Sequence, residues 1–358
     1  MKLALLKTFA AAGVALTMTG AALAATTIKV AVPTPAKGWF AEMHQWWGQE
    51  VEKRSNGELK VQFFWGGSLV KWPDCLPGIQ TGIADMCWVS SSYHPANLGN
   101  YMILENLLNY GDDYVAAVKA SIDTLEQQPD MVQELKREDI VLLMSHISGH
   151  GPIGTKKTLN SLEEMKGQSL RTYGGARTDF YKELGMNPIF MPFNEIYNAM
   201  DRGTINAIGE NVVLLGNAFK LNEVIGNVHQ GNPPGANGNG GIIASAFFMR
   251  GEKWRSLSAT QQKMLKDLRA EYGVRYASKL MEDETKIRDE WAKKNGITFQ
   301  NSSPADAQKV LKAAQAANEI FYKKQEAAGA KNVRAVYSFY ENARKKYEEQ
   351  HKKTGSFK

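Results

Sequence analysis

QSLRTYGGARTDFYKELGMNPIFMPFNEIYNAMDRGTINAIGEN, residues 168–211, carries the fold in outline. Gln168 to Arg171 reads as a strand, Arg177 to Leu184 as a helix and Pro188 to Met191 as a second strand. Glu195 to Arg202 reads as a helix and Ile205 to Asn211 as a third strand. Strands alternating with short helices are the pattern of a mostly parallel sheet covered by helices, an α/β architecture.

The same alternation stands nearer the N-terminus. Thr27 to Val32 alternates as a strand, Ala36 to Ser55 is helical, and Asn56-Gly57 turns the chain into a strand from Leu59 to Trp65. Gly66-Gly67-Ser68 breaks the pattern; a short helix, Leu76 to Thr81, then leads into the strand Ala84 to Val89. The two series echo each other. Gly82 and Gly203 each follow a helix and open a strand, and eight residues on from each stand Ser90 and Asn211, at the carboxyl ends of those strands. Open α/β sheets bind ligands outside such ends, so two lobes facing each other would enclose one cleft with a polar side chain from each.

Between the series lie helical segments from about Asp112 to Lys136 and an apolar strand, Ile140 to Ile147. The Gly-rich Gly149 to Gly154 reads as a crossover, Gly231 to Gly238 as a turn-rich linker, and Ile242 to Met249 as a strand returning to the first lobe. After Trp254 the chain reads as almost wholly helical to about Tyr347, its Lys/Glu runs being solvated faces. The expected division is therefore a first lobe of residues 25–148 with about 242–258, a second lobe of 149–241, and C-terminal helices over 259–358 that pack on and bridge the lobes.

Residues 1–24 read as a secretory signal. Lys2 and Lys7 flank a short apolar stretch that is rich in small residues and ends in Ala22-Leu23-Ala24, a signal-peptidase pattern. That stretch is too short and too rich in Ala, Gly and Thr for a membrane helix. About 334 residues would remain after cleavage, the size of two domains. Net charge is +6, two of it in the leader, and no dense basic run with interleaved aromatics argues for nucleic acid. Cys75 and Cys87 sit at opposite ends of a helix-plus-strand unit. A helix of about eight residues is roughly 12 Å long and bridged Cα atoms lie within about 7 Å, so two buried thiols are expected, while the oxidising compartment of an exported chain keeps a disulfide open.

Catalytic motifs are missing or misplaced. Gly149-x-Gly151-x-x-Gly154 has the letters of a dinucleotide fingerprint, but Pro152 lies inside it and no helix opens at its end. The six His are scattered without HExxH spacing, and neither a GxSxG elbow nor a GxxxxGK[ST] loop occurs. No cofactor and no metal are expected.

One run of residues is specific. Thr158-Leu159-Asn160-Ser161-Leu162-Glu163-Glu164-Met165-Lys166-Gly167-Gln168-Ser169-Leu170-Arg171 leads to Leu184-Gly185-Met186-Asn187-Pro188-Ile189-Phe190-Met191-Pro192-Phe193-Asn194-Glu195-Ile196-Tyr197-Asn198-Ala199-Met200. Gly203-Thr204-Ile205-Asn206-Ala207, Glu210-Asn211 and Trp254-Arg255-Ser256-Leu257 follow. In order and spacing this resembles the solute-binding proteins of tripartite ATP-independent periplasmic (TRAP) transporters, the DctP-like family, over nearly the whole chain after the leader. The segments Trp65 to Cys75 and Trp88 to His94 depart from the family pattern beside the expected cleft.

The resemblance implies a two-lobed periplasmic-binding-protein fold and a receptor that hands a small organic acid to membrane permease subunits. It implies that Arg171 grips the ligand carboxylate, for which a guanidinium offers a matching fork, and that Asn211 adds a neutral hydrogen bond. Arg177 is a second candidate cation, although solvent exposure is its expected state. Trp39, Trp65, Trp88 and Tyr93 lie at loops or strand ends of the first lobe, where aromatic walls would suit the apolar part of an acid. One main Arg points to a monocarboxylate such as a 2-oxo, hydroxy or aromatic acid; Arg177 keeps a dicarboxylate open. A monomer is expected. The rival functions are a ligand sensor for a receptor kinase and an exported enzyme acting on organic acids, the latter lacking any nucleophile–base pair.

Overall fold

The computed structural model describes residues 25–108, 113–209, 211, 216, 219–229 and 242–354. The expected leader at 1–24 and the expected linker Gly231–Gly238 lie outside them. The first sheet begins with β1 (Thr26–Ala31), α1 (Trp39–Arg54) and β2 (Leu59–Phe64). β1 and β2 are parallel, from Thr26 opposite Leu59 to Ala31 opposite Phe64. α1 buries Phe40, Met43, Trp47 and Val51, the spacing of one helical face. Asn56 and Gly57 both take positive φ, 51° and 79°, a pairing these two residues tolerate, and so reverse the chain in two steps.

α2 (Cys75–Gln80) leads into β3 (Met86–Val89), parallel to β1. α3 (Tyr101–Asn106), α4 (Tyr114–Gln127) and α5 (Pro129–Arg137) precede β4 (Ile140–His150). β4 hands the chain to the second sheet almost at once, since β5 spans Ile153–Thr155. There the chain runs through α6 (Leu162–Met165), β6 (Ser169–Thr172), α7 (Ala176–Glu183), β7 (Asn187–Phe190), α8 (Ile196–Asp201), β8 (Ala207–Gly209) and β9 (Asn227–His229). β10 (Ile242–Arg250) returns and pairs antiparallel with both β3 and β4. The first sheet has the order β2-β1-β3-β10-β4. Pairings within each β-α-β unit are parallel, and those made by the crossing strands are antiparallel, giving a mixed α/β fold in two lobes.

α9 (Gly251–Arg255) precedes α10 (Ala259–Asn295), whose 37 residues make a rod roughly 55 Å long. A capping box between Ser258 and Gln261 starts it, and Gly296 at φ 68° stops it. Leu265, Leu268, Tyr272 and Tyr276 bury it in the first lobe, while Trp291 near its far end lies against Gly216. β11 (Thr298–Gln300) then pairs with β9, so the second sheet reads β11-β9-β5-β8-β6-β7. The C-terminus is otherwise almost wholly helical, as expected, and three residues are too few to display a strand's alternation. α11 (Pro304–Ala327) packs on α7, with Lys324 bridging to Asp179 at 2.7 Å. α12 (Val333–Thr354) packs on α4, where the Tyr347 hydroxyl donates to Asp123 at 2.7 Å.

The expectation for the cysteines is corrected. Cys75 and Cys87 form a disulfide, with Cα atoms 5.6 Å apart. Helix length was the wrong measure of their separation. Gly82 turns at φ 77° and β3 runs back alongside α2, which brings the strand beside the first residue of the helix.

Candidate functional site

β6 ends where the lobes meet, and its penultimate residue is Arg171. β6 lies between β7 and β8, so this side chain leaves the sheet from an interior strand. It is only 2% exposed. Nε donates to the Met191 carbonyl at 3.1 Å, which fixes the plane of the guanidinium. Its central carbon stands 5.2 Å from the Phe193 ring and 5.5 Å from the Tyr173 ring. A cation over aromatic faces is attracted by their quadrupoles, and more strongly once desolvated.

Arg177 is fully buried, against the expectation of exposure. Nη1 donates to the Glu105 carbonyl at 3.4 Å, and the guanidinium lies 5.2 Å from Tyr173. Glu105 closes α3 in the first lobe, so the cation at the start of α7 faces the carbonyl end of a helix from the other lobe, where positive charge is favoured. The approach is close. Gly175 has φ 62°, and a Cβ there would come within 2.3 Å of Asn106. On the first-lobe side the Ser91 amide donates to the Glu105 carboxylate at 2.6 Å and the Ser91 hydroxyl donates to the same carboxylate.

An aromatic bridge crosses between the lobes. Trp72, in the 3-10 turn Trp72–Asp74, lies edge-on to Trp88 at 5.4 Å and 6.2 Å from Phe193 of the second lobe. The disulfide borders both tryptophans of this bridge, since Cys75 follows the turn and Cys87 precedes Trp88. Tyr93 meets Phe190 of β7 edge-on at 5.8 Å, at the rim. Ser90 follows β3 directly and is half-buried, and Asn211 is fully buried just past β8.

The structure therefore brings Arg171, Arg177, Trp88 and Tyr93 to one interlobe region. Trp39 and Trp65 sit deeper in the first lobe: Trp39 packs on Tyr276 at 4.8 Å and Trp65 stacks on His44 at 6.1 Å. Tyr173, Phe193 and Trp72 were missed from sequence. Trp72 stood in the segment that departs from the family pattern, and Phe193 followed a strand end of the second lobe, so both carried a signal. Among the described residues, no helix is long and apolar enough to cross a membrane, and no group of three His, Cys, Asp or Glu could hold a metal ion.

The model of the family "bacterial extracellular solute-binding protein, family 7" (DctP) matches residues 31–325. The chain belongs to this family. A TRAP periplasmic solute-binding protein from Desulfovibrio salexigens is 26% identical with a TM-score of 0.74, over 91% of this chain and 97% of that one. A marine-metagenome TRAP solute-binding protein specific for aromatic acid ligands, in complex with 3-hydroxybenzoate, has a TM-score of 0.81 at 20% identity, over 90% of this chain and 99% of that one. A solute-binding protein of Albidiferax ferrireducens is 29% identical over 163 residues, 44% of this chain and 46% of the relative. The alignments thus span about half the length of the first curated relatives. Family 7 solute-binding proteins are receptors rather than enzymes.

Proposed function

We propose that this protein is the exported solute receptor of a TRAP transporter and that it binds a small aromatic monocarboxylate between its lobes. The observation that carries the reading is Arg171, buried at the lobe interface between Tyr173 and Phe193 with its orientation held by the Met191 carbonyl. A carboxylate docks on that fork in two parallel hydrogen bonds, and Asn211 adds a neutral contact. Phe193, Trp72 and Trp88 line the apolar part of the ligand, with Ser90 and Tyr93 nearer the rim and Trp39 and Trp65 behind.

Arg177 holds the closed interface through Glu105, which leaves one cation for the ligand and supports a monocarboxylate over a dicarboxylate. The structural neighbour with 3-hydroxybenzoate supports the aromatic class by fold likeness. Residues 25–148 with about 242–258 form the first lobe, 149–241 the second, and 259–358 the bridging helices. The leader at 1–24 sends the chain to the periplasm, where as a monomer it closes on its ligand and docks on permease subunits. A thermal-shift screen of organic acids tests the reading, because a ligand bound by the folded state alone raises its melting temperature. Shifts should be largest for aromatic monocarboxylates and disappear in Arg171→Ala; a dicarboxylate-only response overturns the assignment.

A further inference from the structure

A cavity of about 330 Å³ opens on the first lobe where β4 begins. From Leu142 in its wall to His150, where the chain leaves for the second lobe, β4 runs about 26 Å, so the cavity is well separated from the interlobe region. Its wall comes from the end of α4, from α5, from the first residues of β4, from α9 and from the second turn of α10. Leu125, Leu135, Ile140 and Leu142 form an apolar floor and are all buried, while Val132 of α5 stands 38% exposed. Small-molecule pockets run from about 300 to 1,000 Å³, which puts this one at the small end. Trp254 adds an indole that is fixed in place: its carbonyl accepts from the Leu257 amide at 3.2 Å and from Gln262 Nε2 at 2.8 Å. The run Trp254-Arg255-Ser256-Leu257, part of the family resemblance, thus has a location, and the interlobe site makes no use of it.

The charges on this wall are unbalanced. Both of its acids are engaged. Asp139 takes the Arg255 fork, Nη1 at 2.6 Å and Nη2 at 2.9 Å, and that guanidinium holds its carboxyl below the usual range. Glu126 pairs with Arg269 Nη2 at 2.5 Å. Lys136 and Lys266 are exposed and, among the described residues, neither has an acid partner; Lys266 stands instead 5.8 Å from the Trp254 ring. Arg269 itself is 4% exposed. It also donates to the Leu142 carbonyl at 3.1 Å, and its Nε has no hydrogen-bond partner among the described residues. A buried guanidinium therefore stands behind a wall that already carries more cations than acids. Lysine stems lie along apolar surface while their ammonium groups stay in water. Two of them over an apolar floor, with no acid left to repel an anion, suit a ligand with an apolar body and one negative end.

We infer that this cavity is a second binding site, for a free aliphatic monocarboxylate whose chain lies on the floor against Trp254 and whose carboxylate meets the ammonium groups of Lys136 and Lys266. A water's share of liquid volume is about 30 Å³, so the cavity takes a body of roughly ten non-hydrogen atoms, an acid of about eight carbons. A two-chain lipid is several times too large. The site is separate from the interlobe one and does not depend on the reading of Arg171.

Calorimetric titration with octanoate, octan-1-ol and acetate tests it. Octanoate should bind about tenfold more tightly than octan-1-ol, and acetate should give no measurable binding. Added salt should weaken octanoate, because exposed ammonium groups are screened. Lys136→Gln/Lys266→Gln should weaken octanoate about tenfold and remove most of the salt effect, whereas Arg171→Ala should leave octanoate binding unchanged. Both lysines are exposed, so their replacement leaves the fold intact, and the wild-type comparison of octanoate with octan-1-ol needs no variant. Equal affinity for octanoate and octan-1-ol, or no octanoate binding at millimolar concentration, overturns the second site. Octanoate binding that Arg171→Ala abolishes and the lysine pair ignores assigns the acid to the interlobe site and overturns it too. Failure of aromatic acids to bind through Arg171, with octanoate still held by the lysines, sinks only the interlobe reading.

Discussion

Trp72 of the first lobe and Phe193 of the second lie 6.2 Å apart, ring centre to ring centre, and the Arg171 guanidinium stands 5.2 Å from the same Phe193 ring. The second-lobe ring that meets the first lobe is therefore also one of the rings beside the cation.

Removing the cation should be the most damaging change to binding. Arg171→Ala should cost about 2–5 kcal/mol of ligand affinity, the usual loss when one partner of a buried charge pair is removed. Arg171→Lys should recover only part, because an ammonium lacks the planar fork. Calorimetry on the three proteins with their best aromatic acid measures this, and unchanged affinity in Arg171→Ala would place the carboxylate elsewhere.

Trp72→Ala should weaken binding by about tenfold, since an aromatic contact is worth roughly 0.5–1.5 kcal/mol beyond its buried area. It should also reduce the compaction seen by solution scattering on adding ligand. A variant that compacts as the wild type does would mean that Trp72 is a bystander to closure.

The disulfide should matter both for stability and for the site. Cys75 and Cys87 are 12 residues apart in sequence, and closing a loop of that size contributes about 3 kcal/mol. The Cys75→Ser/Cys87→Ser double variant should unfold at correspondingly lower urea concentration. Because the bridge borders the turn of Trp72 and the strand of Trp88, ligand affinity should fall as well; a stability loss without an affinity loss would confine it to a structural role.

Acid should destabilise the first lobe through its buried imidazoles. His44 titrates at about 3 when folded, against 6.5 as a free side chain, and His146 is displaced in the same direction. Below pH 6.5 the unfolded chain therefore takes up protons that the folded chain refuses, so stability falls as pH drops from 6.5 toward 3 and is insensitive to these groups above 6.5. Each histidine contributes a slope of up to about 1.4 kcal/mol per pH unit. Urea melts at pH 7, 6 and 5 should track this slope, and His146→Phe should flatten it; an unchanged slope would mean another group carries the acid sensitivity.

The features of the fold legible in the sequence were those with local causes: both β-α series follow from strand alternation and glycine stops. Arg171 was marked by the family resemblance rather than by its position alone. The features missed depend on contacts between distant segments. Arg177 is buried because α3 of the other lobe covers it, which nothing near residue 177 encodes. The bridge between Cys75 and Cys87 needed the direction in which β3 returns, and the meeting of Trp72 with Phe193 needed the closeness of two lobes about 120 residues apart in the chain.

β11 has a consequence for the order in which this molecule can be made. It forms one edge of the second sheet, yet it is encoded after every other strand of both sheets. A chain synthesised from its N-terminus presents β9 as an open edge until Gln300 has emerged, and an open edge is a template for pairing with other chains. The segment that carries β11 is thus a guard against self-association, and products that stop before Thr298 should aggregate even though they contain every residue assigned to the ligand.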